Sequence, residues 1–565
     1  MPQEIIPVAE WKPDMPDLAE ATAMALNVLP ITPESYGPFP SLSTYSTNAM
    51  DGQCIGAVCV QADDLSVEIF AGTADKLYEM TADAAAWVDV SGTAYSTADG
   101  DNWGFELYSN TVIATNFGNA MQSFALGSST SFANLFTAPA WAVSTAYSTL
   151  GAYVLANGNR YVLTATGTSA SSGTGPSGTG AGITDGTCTW NYQGGAPPMG
   201  RRICTPKNFL MVGNTYDPVG GLGPQRLWWS IAGDATTWPA PGSNAAIQGM
   251  SDYNDFQGNF GEITGLVDSL ANADVAIFFR HAVWRGLFVG PPDVFDFFPT
   301  ENVRGCPAPN SIVPIGANVW YLGEDGFYVF DGATSTPIGA DKFDNWFFAN
   351  SNQSYLWMVI GTTNVPNKAV MWAFPSTASS SGLCDTILIY RWDIQRASYA
   401  YVGANAIEWV LRTLTFGATL DSLSTLGFTD LDTLPASLDS AVWVGGALQL
   451  SAVNGSHELA FFTGPNLAAQ VATQTKQLTP GRRSFVQSAR PLVDLTNGTP
   501  TVAFAARTNL YDTETFGAAV PPDISGECPQ RSDGRYHNAM VAMPAAAVWT
   551  HIVGVDTTYQ PGGLR

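Results

Sequence analysis

The sequence predicts an all-β protein: a degenerate β-propeller of about six blades, with a small inserted β-domain and a C-terminal β-domain. Three observations lead there. The 565 residues carry only 13% charged but 12% aromatic side chains, with 56 Gly and 36 Pro, which reads as many short strands and turns and excludes a mostly disordered chain. Short runs of Val, Ile, Phe, Tyr and Trp alternate with Gly, Asp, Asn or Pro, the signature of strand and turn. These runs group into weakly self-similar units spaced roughly 40 residues apart, the range of propeller blades. A pair of β-sandwiches is the structural alternative.

Residues 1–50 hold eight prolines among short apolar pieces such as Ile5-Ile6. Proline removes a backbone donor and restricts its predecessor, so neither a long helix nor a central strand is expected. The segment reads as an extended arm lying on something else, with an unattached terminus as the alternative. Residues 51–137 form the first part of the propeller, through runs such as IGAVCVQ (55–61), VEIFAG (67–72) and TVIATNFG (111–118). Residues 197–410 form the remainder, including RLWWSIAG (226–233), KAVMWAFP (368–375) and TILIYRWD (386–393). In EDGFYVFDG (324–332) the Asp-Gly pair is expected to be a two-residue hairpin loop.

Residues 138–196 differ in texture. Arg160 and Asp185 are their only charged residues. An aromatic and valine hairpin, AYVLANGNRYVLT, surrounds an Asn-Gly turn; a Gly/Ser/Thr stretch (167–182) and a last strand, TCTWNY, follow. This predicts a small inserted β-module with one flexible loop. Residues 411–440 are Leu-, Asp- and Thr-rich, and Leu411, Leu414, Leu420, Leu423 and Leu426 suggest a helical or looped connector. Strands resume over 441–565, the C-terminal β-domain.

The net charge of −25 repels phosphate at long range. It argues against a protein that grips DNA or an anionic membrane, not against one that DNA slides past. The seven cysteines include no CxxC pair and form no disulfide framework or zinc site. The start MPQEIIPVAEWKPDMPDL lacks the basic stretch and apolar run of a secretion signal. No apolar window reaches the length of a membrane span, so a soluble chain is expected.

No catalytic, cofactor or metal site emerges from motifs. HExxH, GxSxG and GxxxxGK[ST] are absent, and the four histidines, His281, His457, His537 and His551, do not pair at metal spacing. The acidic neighbours Asp63-Asp64, Asp99/Asp101, Asp252/Asp255, Glu324-Asp325 and Asp430/Asp432 sit in turn-like contexts, where Asp stabilises its own turn. The candidate carbohydrate contacts are Trp141, Tyr147, Tyr153, Tyr161 and Trp190, with Tyr192 beside them, in the nearly uncharged insert. Exposed rings stack on the apolar CH faces of sugars; the competing reading makes these rings the core of a small module.

Two stretches go further. WSIAGDATTWP (229–239) precedes GNFGEITGLVDSLANADVAIFFRHAVWRGLFVGPPDVFDFFPTENVRGCPAPNSIVPIGANVWYLGEDGFYVFDG. The C-terminal series runs DLDTLPASLDS, VWVGGA, GRRSFVQSARPLVD, DGRYHNAMVAMPAAAVWTHIVGVD and PGGLR. In this order the motifs resemble the tail hub or nozzle (tail stabilisation) proteins of short-tailed bacteriophages, over about 51–137 and 197–565. The resemblance implies a non-enzymatic virion protein of the tail, assembled in the host cytoplasm, with no cofactor. It implies six copies in a ring below the portal and its adaptor proteins, contact with tail fibre or spike proteins, and passage of double-stranded DNA without specific binding. The N-terminal arm would then strap a neighbouring subunit. Separately, WAVSTAYSTLGAYVLANGNRYVLTATGTSAS (141–171) and ITDGTCTWNY (183–192) resemble a small module of phage structural proteins likened to carbohydrate-binding modules. They depart from it in a longer Gly/Ser/Thr loop. The alternative function is therefore a carbohydrate-binding tail adhesin, or a glycan hydrolase on a β-propeller, facing a host surface glycan.

Overall fold

The computed structural model describes residues 2–82, 84–217, 220–403, 406–414 and 448–563, with the single positions 430, 434 and 437. Apart from those positions, the connector expected over 411–440 lies outside the described residues from 415 onward. Leu411 and Leu414 belong to the strand Ile407–Leu414 and not to a helix or loop.

The protein is an all-β, degenerate propeller. Four-stranded antiparallel meanders succeed one another over 57–89, 104–134, 199–255, 263–301, 313–337 and 360–401. A seventh combines Ile407–Leu414, Leu448–Asn454 and Leu459–Phe461 with Ser43–Thr44 from the N-terminal arm. The described residues thus hold seven such meanders outside the insert, beside an expected figure of about six blades. The seventh flanks the expected connector, with one strand over 407–414 and two within the expected C-terminal β-domain, and its fourth strand comes from the far end of the chain.

Adjacent meanders share cores. Val112 and Ala114 pack with Phe70 and Leu77 of the first meander, while Ile113 between them packs with Val212 and Trp228 of the third. Met211 in turn packs with Ile263, Val275 and Ile277 of the fourth. Successive side chains of a strand point to opposite faces, so a sheet covered on both faces needs an unbroken apolar run. This sets the packing apart from a sandwich, whose sheets bury one face each. Met371, Ile387 and Ile389 of the sixth meander pack likewise with Ile407, Val410 and Ala452 of the seventh.

The chain divides into two compact units: Thr47–Glu324 with Val329–Thr336, and Met1–Ser46 with Asp325–Tyr328 and Pro337–Arg565. In the second of these the sixth meander continues through Ala25–Leu26 into Ala469–Ala472, Tyr536–Met543 and Thr501–Arg507, giving eight strands in one sheet. Another sheet orders Cys528–Gly534, Ser484–Asn497, Val548–Pro561, Ser35–Pro38 and Val28–Thr32, with Gln3–Pro7 along Val548–Pro561. The arm, expected to strap a neighbour, is therefore woven into the sheets of its own chain.

Side chains lock it there. Trp11 is fully buried, with its ring 5.9 Å from Phe343, 4.8 Å from Trp346 and 5.2 Å from Tyr399. Glu10 pairs with Lys12 at 2.7 Å, Arg396 at 2.8 Å and Lys342 at 3.0 Å. Asp14 accepts the N–H groups of Asn345 and Trp346 at 2.8 and 2.9 Å, capping the helix Asp344–Asn350. Gly326 is not part of a two-residue turn, since four residues separate Asn318–Leu322 from Phe327–Phe330. A Cβ on Gly326 would lie 2.2 Å from the Asp344 carboxylate, so close approach is what requires glycine.

Trp11→Ala should cost about 3–5 kcal/mol of stability. Denaturant unfolding followed by fluorescence checks this; a loss below about 1 kcal/mol would mean the arm is not held by this ring.

Candidate functional site

The insert's five candidate rings separate. Its sheet orders Tyr153–Ala156, Asn159–Ala165, Cys188–Gly195 and Ile183–Asp185. The Asn-Gly turn forms as expected, with Asn157 at φ 51° and Gly158 at φ 76° and Ala156 facing Asn159. Tyr161 and Trp190 are each 0% exposed. A ring with no open face cannot stack on a sugar, so these two are core residues and not carbohydrate contacts. Tyr147 packs edge-on against Trp190 at 5.1 Å, and Trp141 is likewise part-buried against this core. Tyr153 alone of the five is exposed, at 45%, with the Arg160 guanidinium 4.9 Å from its ring centre.

The Gly/Ser/Thr stretch, expected to be flexible, is tied down. Asn157 Nδ2 donates to the carbonyls of Thr174 and Pro176 at 3.3 and 2.9 Å. Tyr161 donates to Gly178 O at 3.1 Å, and Tyr192 N to Gly180 O at 3.1 Å. Gly175 lies on the Trp141 indole; a Cβ there would sit 2.7 Å from the ring. The indole N–H donates to Asp185 at 2.6 Å. The glycines let the loop lie flat across an aromatic surface.

Arg160, the insert's one cation, docks the module on residues 234–238. Its guanidinium donates to Thr236 Oγ1 at 3.1 and 3.2 Å and to Thr237 Oγ1, 3.8 Å from Asp234. Asp234 accepts both threonine hydroxyls at 2.6 Å, which orients their oxygens toward Arg160.

The acidic neighbours singled out by sequence are mostly committed elsewhere. Asp64 accepts from Ser66, and Asp252 from the N–H of Tyr253. Asp101 pairs with Arg201 at 2.6 Å, Asp255 is held bidentately by Arg226 at 2.6 Å, and Glu324 pairs with His281 at 2.5 Å. Asp432 lies outside the described residues. Among the described residues no group of three His, Cys, Asp or Glu is placed to hold a metal ion, and no helix is long and apolar enough to cross a membrane.

A different carboxyl pair does come together. The first strands of successive meanders, Gly104–Tyr108, Met199–Cys204, Ile263–Asp268 and Val313–Ile315, contribute to one cavity of about 210 Å³, bordered by Glu106, Arg201, Arg202, Cys204 and Asp268. Thr205 joins its two acids: its hydroxyl lies 3.1 Å from Glu106 Oε1 and 3.3 Å from Asp268 Oδ2, and its N–H donates to Asp268 at 3.3 Å. Burial, and then the charge of Asp268, push the Glu106 carboxyl up to about 8. At neutral pH Glu106 therefore keeps its proton and can donate it, while Asp268 accepts. Burial lowers the Arg202 guanidinium to about 10. Sequence reasoning missed this pair because the two acids lie in different meanders. The remaining signal was an acid inside each of two otherwise apolar strands, GFELY and ITGLVD, and the Arg-Arg dipeptide at 201–202.

No protein-family model matches the chain, and no curated protein does. Among solved structures it is similar to YCF48 from Cyanidioschyzon merolae, at 10% identity and a TM-score of 0.24, over 53% of this chain and 89% of that one. It is similar to apo AztD from Citrobacter koseri at 12% identity and a TM-score of 0.29, over 64% and 94%. It is also similar to the exo-beta-1,3-galactanase of Phanerochaete chrysosporium, at 8% identity and a TM-score of 0.17, over 92% and 99%.

Arg160→Ala should loosen the docked insert by about 1.5–3 kcal/mol, the range for hydrogen bonds to a charged group. Hydrogen exchange should rise in 153–165 and 229–240 and stay unchanged in the fourth meander. Glu106 adds a pH dependence. Below its ordinary value of 4.5 both folded and unfolded states are protonated; between 4.5 and about 8 only the unfolded state ionises. Its contribution to stability is thus lost as pH rises through that window. Glu106→Gln should flatten the fall in thermal midpoint between pH 5 and 8; an unchanged slope would place the titration elsewhere.

Proposed function

We propose that this chain is a structural, non-enzymatic component of the tail of a short-tailed bacteriophage, a hub or nozzle through which the genome is retained and ejected. The observation that carries the reading is the ordered motif series of the C-terminal part, two of whose motifs form long described strands, while DLDTLPASLDS and VWVGGA lie almost wholly outside the described residues. GRRSFVQSARPLVD makes up most of the 14-residue strand Ser484–Asn497, and DGRYHNAMVAMPAAAVWTHIVGVD supplies Tyr536–Met543 and most of Val548–Pro561. Exposed apolar side chains on these long strands, Leu495, Val548 and Val553, and on the adjoining 508–527 segment, Tyr511 and Ile524, suit burial against other subunits.

In this reading the copies form a homohexameric ring below the portal-adaptor proteins and carry tail fibres or spikes. The net charge of −25 favours low-friction passage of DNA, because each avoided cation–phosphate contact removes an attraction. The alternative of a sugar-binding adhesin now rests on Tyr153, the most exposed ring of the five candidates, with the Arg160 guanidinium 4.9 Å from its centre.

Electron microscopy of particles labelled with antibody against this chain tests the proposal. Label on a sixfold collar or tube at the tail vertex is the expected result. Unlabelled particles, with the antigen free in the medium or on cells, would overturn it.

A further inference from the structure

We propose that the cavity between the first strands of the second to fifth meanders binds a carboxylate-bearing sugar, with Arg202 holding the carboxylate and the Glu106–Asp268 pair holding hydroxyls. The inference does not depend on the tail reading.

It begins with Arg202, whose side chain makes no hydrogen bond or ion pair among the described residues and whose Nε is buried without a partner. Arg202 is half-buried, and a buried polar atom left without a partner is costly and in native proteins calls for a ligand, ion or water. Acids are not scarce: the chain has 48 against 23 Lys and Arg. Neighbouring cations are matched, Arg201 with Asp101, and Arg226 with Asp217 and Asp255. Arg202 alone on this wall is left open, and neither Glu106 nor Asp268 forms an ion pair with it.

A ligand that completes the site must therefore carry its own negative charge to Arg202. It must also present groups that both accept and donate, since Glu106 offers an O–H and Asp268 two acceptor oxygens. Hydroxyls meet that requirement and a bare anion does not, because Asp268 repels it. The volume of about 210 Å³ is below the roughly 300–1,000 Å³ of sites for drug-sized ligands, which limits the occupant to about one ring. Phe105 and Leu266 supply apolar wall for the CH face of such a ring. Uronic and sialic acids have this combination of charge, hydroxyls and size.

The test is calorimetric titration of the full chain with glucuronate, galacturonate and N-acetylneuraminate, beside glucose, acetate and inorganic phosphate. At least one acidic sugar should bind in the millimolar range or tighter, with the neutral and simple-anion controls weaker by about tenfold. Arg202→Met should weaken binding at least about tenfold, and Glu106→Gln by several-fold. Arg202→Lys, which keeps the charge and loses the fork, should fall between, and serves if the methionine variant does not fold by circular dichroism. Absence of binding by every acidic sugar overturns the proposal. So does phosphate or glucose binding as tightly, or unchanged affinity in a folded Arg202 variant.

Discussion

Backbone pairing through Ala25 and Leu26 holds together the largest sheet among the described residues. Leu26 pairs with Tyr399 on one side, and Ala25 and Leu26 pair with Val471 and Gln470 on the other. Without these two residues, Arg396–Tyr401 and Ala469–Ala472 would both be sheet edges, with unpaired N–H and C=O groups open to other chains. Side chains reinforce the seam. Asn27 Nδ2 donates to Ala468 O at 2.7 Å while its Oδ1 accepts from Tyr401 N at 2.7 Å, and Ser398 donates to Val28 O at 2.6 Å. Trp11, Glu10 and Asp14 fix the chain upstream. A segment rich in proline suits this role, since it cannot form a competing helix and needs only short stretches of pairing.

Charge pairing follows a related economy. With acids in twofold excess, several cations act as cross-links between segments distant in sequence. Arg507 joins Asp17, 490 residues away, at 3.0 Å, and Arg201 joins Asp101 while resting 3.6 Å above the Phe117 ring.

What the sequence reveals depends on the range of the interaction responsible. The Asn157-Gly158 turn was legible because its cause, two residues tolerant of positive φ, is local. The strands of the meanders were legible because burial on both faces demands consecutive apolar residues, as in AVMWAF over Ala369–Phe374. The seventh sheet was not, since Ser43–Thr44 is two residues long and finds its partner near Ala460. Composition identified the insert's aromatics without ranking their exposure. Trp190 and Tyr153 look equivalent in sequence, and only the strand register and the loop carrying Gly175 separate a core ring from an open one. Glu106 and Asp268 were invisible because their shared partner, Thr205, lies in a third meander.

The segment WSIAGDATTWP joins these threads. Each of its characteristic residues has a mechanical reason to be there. Asp234 orders the hydroxyls of Thr236 and Thr237, and Trp238 turns its N–H onto Ala235 O at 2.7 Å. The Trp238 backbone accepts Gly195 N at 3.0 Å, at a place where a Cβ on Gly194 would lie 2.7 Å from it. The module is thus mounted on the third meander by a buried arginine, a glycine-only contact and a backbone bond, with no dependence on a flexible tether. A module fixed this way presents Tyr153, and the covered face beneath Gly175, in a constant orientation relative to that sheet. Any partner of the module must therefore be met at one angle, a constraint that a linker-borne adhesive domain would not impose.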